Sequence, residues 1–176
     1  MKKTEKGEKP RVAVLMGSDS DLEVVRGALE VLRQFGIPHE VRVLSAHRTP
    51  RALREFLEHC PAEVFIAAAG GAAHLAGVVA SETIRPVIAL PVPGKTLGGL
   101  DSLLSMVQMP SGVPVACVGV GAGKNAGLLA VQILANSDPP LAGALREFRK
   151  AQAAAVLRQD EELRGKIESP GDGAPK

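Results

Sequence analysis

Three short stretches of this chain, Val12 to Met16, Glu63 to Ala69 and Pro86 to Leu90, are apolar at almost every position. A strand that alternates apolar and polar residues has one face in water. A strand that is apolar throughout must be covered on both faces, the condition of a parallel sheet between helical layers. The segments between them carry helical spacing. Leu22, Val25, Leu29 and Leu32 recur at intervals of three and four before Gly36 and Pro38, and Leu53, Phe56 and Leu57 share one face of a segment from about Thr49 to Cys60. Strands alternating with helices require crossover connections and a mostly parallel sheet.

With Glu40–Leu44 and Val113–Val118 as further strands, the sequence predicts an α/β fold: a flavodoxin-like three-layer sandwich with a five-stranded parallel sheet. Small residues continue helically from Leu75 to about Thr83. Asp101 to Gln108 forms a short helix that Asp101 can cap. Asn125 to Asn136 is a helix lined by Leu128, Leu129, Ile133 and Leu134. Pro139-Pro140 opens a long C-terminal helix to about Lys166. Its run of alanines (Ala151, Ala153, Ala154, Ala155) suits either close packing on a neighbouring subunit or a solvent-exposed helix held by propensity. Residues 11–166 read as one domain between two disordered tails, 1–10 and 167–176, both poor in apolar residues.

Composition narrows the function. The 176 residues carry a net charge of only +2, partly from lysines in the first ten positions, so the folded body is near neutral. With no Trp, no Tyr and four Phe, there is little on which bases could stack, which argues against a nucleic-acid partner. Cys60 and Cys117 lack zinc-type spacing and sit beside apolar runs, as reduced buried thiols do. The N-terminal stretch has no apolar centre of the secretory kind, and the longest apolar runs are broken by Gly and Pro, short of a membrane span. Cytoplasm is the default compartment.

Chemistry concentrates in three loops where a strand meets a helix, the edge at which open α/β sheets bind ligands. In Gly17-Ser18-Asp19-Ser20-Asp21, helix-end amides and two hydroxyls suit an anionic group. Asp19 and Asp21 suit ribose hydroxyls or an amine, or simply cap the helix. This loop has neither the Gly-x-Gly-x-x-Gly of dinucleotide sites nor a P-loop. Ser45-Ala46-His47-Arg48-Thr49-Pro50 supplies a hydroxyl, an imidazole of the type that moves protons near neutrality, and a guanidinium suited to phosphate or carboxylate. A solvated turn is the other reading. Ala67 to Gly77 (AAAGGAAHLAG) is nearly devoid of bulk, which fits either a tight, water-poor pocket or close packing of helix on sheet. His39 and His59 lie outside these loops. No carboxylate–His cluster suggests a metal.

Met16–Asp21, Ser45–Pro50 and Ala69–Leu75 resemble the three signature loops of the PurE family. Asp101–Pro110 (DSLLSMVQMP) and Asn125–Ala135 (NAGLLAVQILA) resemble two more of its motifs, in the family's order, over roughly Val12 to Leu157. The His-Arg-Thr-Pro and Gly-Gly-Ala-Ala-His forms are similar to class I, the N5-carboxyaminoimidazole ribonucleotide mutases. Class II members, which carboxylate aminoimidazole ribonucleotide with free carbon dioxide, typically have Lys in place of Arg48 and a different third loop. One departure is Gly119–Asn125, slightly shorter than usual and with Lys124 where small residues are common.

The resemblance implies roles by position. Ser18 and Arg48 would sit near the nucleotide's phosphate, with Ser45 in support, and Asp21 near the ribose. His47 would be the general acid/base. Gly70, Gly71, Ala72 and His74 would belong to the loop that closes over the imidazole and its carboxylate. The implied reaction needs no metal and no cofactor, the implied partner is a small-molecule nucleotide, and the implied assembly is a homo-octamer. A phosphorylated receiver domain fails as a rival because the third strand ends in Gly70-Gly71 with no Asp. A flavin carrier fails as well, because no Trp or Tyr is available to flank its ring.

Overall fold

A computed structural model describes residues 9–94 and 97–168. Most of both expected tails, and Lys95 and Thr96, lie outside the described residues. Five strands form one parallel sheet: β1 (Val12–Met16), β2 (His39–Val43), β3 (Val64–Ala69), β4 (Val87–Pro91) and β5 (Ala116–Cys117), in the order β2-β1-β3-β4-β5. Alternate residues of the central strands feed two separate cores. Val12, Val14, Met16, Val64, Ile66 and Ala68 face one, together with α1 (Leu22–Gln34), α5 (Gly123–Ala135) and the start of α6 (Pro139–Glu168). Ala13, Leu15, Phe65, Ala67 and Ala69 face the other, with α2 (Pro50–His59), α3 (Leu75–Glu82) and α4 (Leu100–Val107). β1, β3 and β4 are buried at every position, as their unbroken apolar runs predict. This is the flavodoxin-like order, with its topological switch point between β1 and β3.

Four details depart from the sequence reading. The fifth strand is two residues long rather than six. It lies at the sheet edge, and Pro114 has no N–H to donate to a ladder. Asp101 does not cap α4: Gly99 holds the N-cap position at φ 95°, a left-handed conformation, and Asp101 lies within the first turn. There the unpaired amides of the helix end favour a carboxylate. Of the four residues expected to line α5, only Leu134 lies on its buried face. Gly123, Ala126, Gly127, Ala130, Val131 and Leu134 are buried, whereas Leu128, Leu129 and Ile133 are only partly so. Finally, α6 continues through Glu168, two residues into the segment expected as a tail.

The α5 result has a steric cause. A Cβ added at Gly123 would lie 2.1 Å from the Val24 carbonyl oxygen, and one at Gly127 would lie 2.9 Å from that of Ala28. Backbones of α1 and α5 touch here, and bulk is excluded. Lys124 belongs to this junction, with its Cγ 3.2 Å from where a Cβ of Gly27 would be. The unusual Gly119–Asn125 loop is therefore part of the α1–α5 packing, and none of its residues lines the cavity described next.

Arg11 ties the start of the sheet to the last helix. Its guanidinium pairs with Glu63 and, at 2.8 Å, with Asp138, whose other oxygen accepts the Leu141 amide at the head of α6. That amide and Arg11 hold the Asp138 carboxyl below its ordinary pKa.

Candidate active site

The loops after β1, β2, β3 and β4 surround one cavity of about 600 Å³ at the carboxyl edge of the sheet. All nine residues singled out by sequence line it: Ser18, Asp21, Ser45, His47, Arg48, Gly70, Gly71, Ala72 and His74. Val92, Pro93 and Gly94, from the loop after β4, complete the wall. Sequence reasoning passed over these three because they carry no reactive group. The signal that could have found them is topological: β4 is the neighbour of β3, so its loop must adjoin the Gly70–His74 loop.

The first loop is a 3-10 turn, Asp19–Asp21, whose cap is Ser18 rather than an aspartate. Ser18 Oγ accepts the Ser20 amide at 3.4 Å and donates to Asp19 Oδ1 at 3.2 Å, while the Ser18 amide donates to Asp21 Oδ2 at 3.2 Å. This is a reciprocal capping box. Asp21 is buried, and burial pushes its carboxyl pKa up. Hydrogen bonds from Ser18 and Ser20 and the nearby charge of Arg48 oppose that rise.

The second loop is closed by Thr49. Its Oγ1 accepts the Ser45 amide at 2.9 Å and donates to the Ser45 carbonyl at 3.1 Å. Ser45 Oγ accepts two donors from Arg48, the backbone amide at 3.2 Å and Nε at 3.4 Å, which leaves the serine's own proton to give. Arg48 then reaches across to the first loop, where Nη2 donates to the Gly17 carbonyl at 2.6 Å. A guanidinium has five N–H donors in a rigid plane. Two are used as braces, so three remain beside the cavity, enough to grip an oxyanion through two of them.

The third loop brings His74 to His47. Nε2 of His47 and Nδ1 of His74 are 2.9 Å apart, with the rings edge to face and centroids 4.9 Å apart. One nitrogen donates and the other accepts, so the pair shares a proton and fixes both tautomers together. Nδ1 of His47 has no partner among the described residues. The loop itself starts at Gly71, at φ 62°, and tightens through bonds from the Ala73 amide to the Gly71 carbonyl (2.8 Å) and from the His74 amide to the Ala72 carbonyl (2.9 Å). His39 and His59, by contrast, bond only to nearby backbone carbonyls.

Ser102, on α4, lies behind this wall with no solvent exposure. Its hydroxyl accepts the Gly71 amide at 2.9 Å and donates to the Val92 carbonyl at 3.0 Å. Sequence reasoning missed it, because a serine within a short helix carries no mark of burial. Beside it, Asp101 Oδ1 is buried without a hydrogen-bond partner among the described residues. Among the described residues no three His, Cys, Asp or Glu side chains group as they would around a metal ion.

A flavodoxin-like sheet with a polar, guanidinium-bearing pocket and a histidine pair at its switch point defines a class: α/β proteins that hold a small anionic ligand over the strand ends. Comparison with known proteins narrows that class. A family profile described as AIR carboxylase matches residues 11–155. The chain is 48% identical over 169 residues to the N5-carboxyaminoimidazole ribonucleotide mutase of Pyrococcus horikoshii, covering 94% of this chain and 93% of that protein. It is 53% identical over 163 residues to the protein of the same name from Mycobacterium tuberculosis, covering 91% and 94%. The crystal structure of Treponema denticola PurE superposes with a TM-score of 0.81 at 31% identity, covering 88% of this chain and 99% of that one. This chain belongs to the AIR carboxylase (PurE) family.

Proposed function

We propose that this protein is an N5-carboxyaminoimidazole ribonucleotide mutase, an isomerase of purine biosynthesis that moves a carboxylate from N5 to C4 of the same nucleotide. The observation that carries the reading is local. His47 and Arg48 are consecutive, yet they serve one cavity from two sides, the first paired with His74 and the second braced on Gly17. That arrangement puts a proton carrier and an anion anchor on the same cavity.

The chemistry follows from the substrate. The carbamate C–N bond breaks, its electrons return to N5, and His47 supplies the proton that N5 takes up. The product of this half is carbon dioxide and an electron-rich ring whose C4 is nucleophilic. C4 attacks the carbon dioxide, a C–C bond forms, and His47 removes the C4 proton, which restores its starting state. Protons and electrons balance, and no metal or ATP takes part. Arg48, Ser18 and Ser45 hold the distant phosphate, and that binding energy positions the ring. Asp21 serves the ribose. The Gly70, Gly71, Ala72 and His74 wall excludes water and keeps the released fragment beside C4.

Direct carboxylation of aminoimidazole ribonucleotide with free carbon dioxide is the alternative. Arg48 and the Gly-Gly-Ala-Ala-His loop support the mutase instead, as do relatives named mutase at about half identity. The test is to supply the carbamate nucleotide without ATP or added bicarbonate and follow formation of the C4 carboxylate. Failure to form it, with turnover of the uncarboxylated nucleotide plus bicarbonate, would replace this reading with the alternative.

We further propose that residues 11–166 form one catalytic domain that self-associates, as an octamer on the family resemblance. Support comes from exposed apolar residues on α4 (Leu100, Leu104, Val107) and on the far half of α6 (Val156, Leu157, Leu163, Ile167). A monomer by light scattering at micromolar concentration would overturn this. Among the described residues no helix is long and apolar enough to cross a membrane, and we assign the chain to the cytoplasm, where nucleotide synthesis supplies its substrate.

A further inference from the structure

Ser102 joins two walls of the cavity without reaching it. Its hydroxyl is used in both directions, as acceptor from Gly71 N–H and donor to Val92 C=O, and so ties the ends of β3 and β4 to α4. The Gly71 amide has no other partner among the described residues. Ala72 and His74, which line the cavity, lie just beyond it. Gly71 holds its left-handed conformation, two tight turns follow, and the segment ends three residues later at the His74 ring in contact with His47. The loops that carry Ser18, Ser45 and Arg48 make no hydrogen bond to Ser102.

We propose that Ser102 is a positioning residue for the reaction: it fixes the Gly70–His74 wall so that released carbon dioxide stays over C4 and His74 stays on His47. The inference rests on the mutase reading. It also makes a distinction that simple loss of stability does not. When the carbamate C–N bond breaks and N5 takes up a proton, the freed carbon dioxide has two fates. If held, it forms the C–C bond at C4 and the C4 proton leaves. If it escapes, the turnover ends as carbon dioxide and the uncarboxylated aminoimidazole ribonucleotide. A loosened wall shifts that partition, while phosphate anchoring on β1 and β2 is untouched.

The experiment compares wild type, Ser102→Ala and Ser102→Cys with the carbamate nucleotide as substrate. It measures the C4 carboxylate and the uncarboxylated nucleotide separately, after subtracting spontaneous decarboxylation in buffer. Ser102→Ala should lower kcat by about tenfold or more, because small misplacements of reacting groups are costly, with KM changed by less than about threefold. The uncarboxylated nucleotide should become a larger share of the product. Ser102→Cys, which keeps the size and a weak donor and acceptor, should fall between. A Ser102→Ala enzyme with the wild-type product ratio overturns the inference, whether its kcat is unchanged or falls in step with its melting temperature. Wild-type protein that consumes none of the carbamate nucleotide overturns the mutase reading, and this inference with it.

Discussion

Replacing Arg48 by alanine tests the anchor on which the proposed mechanism depends. Its guanidinium makes two bonds within the protein, to the Gly17 carbonyl at 2.6 Å and the Ser45 hydroxyl at 3.4 Å, and leaves three N–H groups for a ligand. A hydrogen bond to a charged group contributes about 1.5–3 kcal/mol, and two that share one phosphate are not independent. A loss of about 3 kcal/mol is therefore the reasonable magnitude, equivalent to roughly 100- to 200-fold in Kd. The fold should tolerate the change, because Gly17 is only half-buried and water can replace the lost donor at its carbonyl. Calorimetry with aminoimidazole ribonucleotide and with the corresponding nucleoside, which lacks the phosphate, isolates the contact. Arg48→Ala should lose the full factor for the nucleotide and little for the nucleoside. Arg48→Lys, which keeps the charge but not the planar fork, should lose about tenfold. Equal losses for both ligands, or a nucleotide loss under about threefold, would refute the phosphate assignment.

The other predictions concern the proton carrier, the helix packing and acid stability. His47→Asn should fold as wild type but lose about 10²- to 10⁴-fold in kcat; activity within tenfold of wild type would remove His47 from the chemistry. Gly123→Ala would drive a Cβ to 2.1 Å from the Val24 carbonyl oxygen, so α1 must move. At about 1–3 kcal/mol for overpacking, the melting temperature should fall by roughly 2–12 °C, with residual activity preserved well below it. No fall would mean that α1 and α5 are not in backbone contact. Because the Leu141 amide and Arg11 lower the pKa of Asp138, its stabilisation is complete above the unfolded-state value near 3.8 and is lost as pH falls through the lower folded-state value. The gap in melting temperature between wild type and Asp138→Ala should thus be present at pH 7 and shrink below about pH 4. A gap constant down to pH 3 would contradict the pairing.

The sheet was legible because β1, β3 and β4 are buried on both faces, and only apolar residues can occupy such positions. The cavity was legible because polar groups concentrated where three strands end, and the parallel topology gathers those ends. Physical reasons also explain what escaped. Searching α5 for large apolar residues found Leu128, Leu129, Ile133 and Leu134, of which only Leu134 is buried; the rest of its core face is mostly small because the backbone of α1 lies against it. Val113–Val118 looked like a full strand, yet an edge position and Pro114 leave only Ala116 and Cys117 in the ladder. Asp101 has the chemistry of a cap, but the left-handed Gly99 takes that place. Ser102 was invisible for a different reason. Its importance lies in partners 10 and 31 residues away, Val92 and Gly71, which only the folded chain brings to it.

A mutase must keep the carboxylate within one active site as it moves. Carbamate nucleotide labelled with ¹³C in its carboxylate, turned over in an excess of unlabelled bicarbonate, would decide this. Transfer through a closed cavity predicts that the C4 carboxylate of the product keeps nearly all of the label. Product carrying the isotopic composition of the surrounding bicarbonate would show that carbon dioxide enters from solution, and would contradict the mutase assignment.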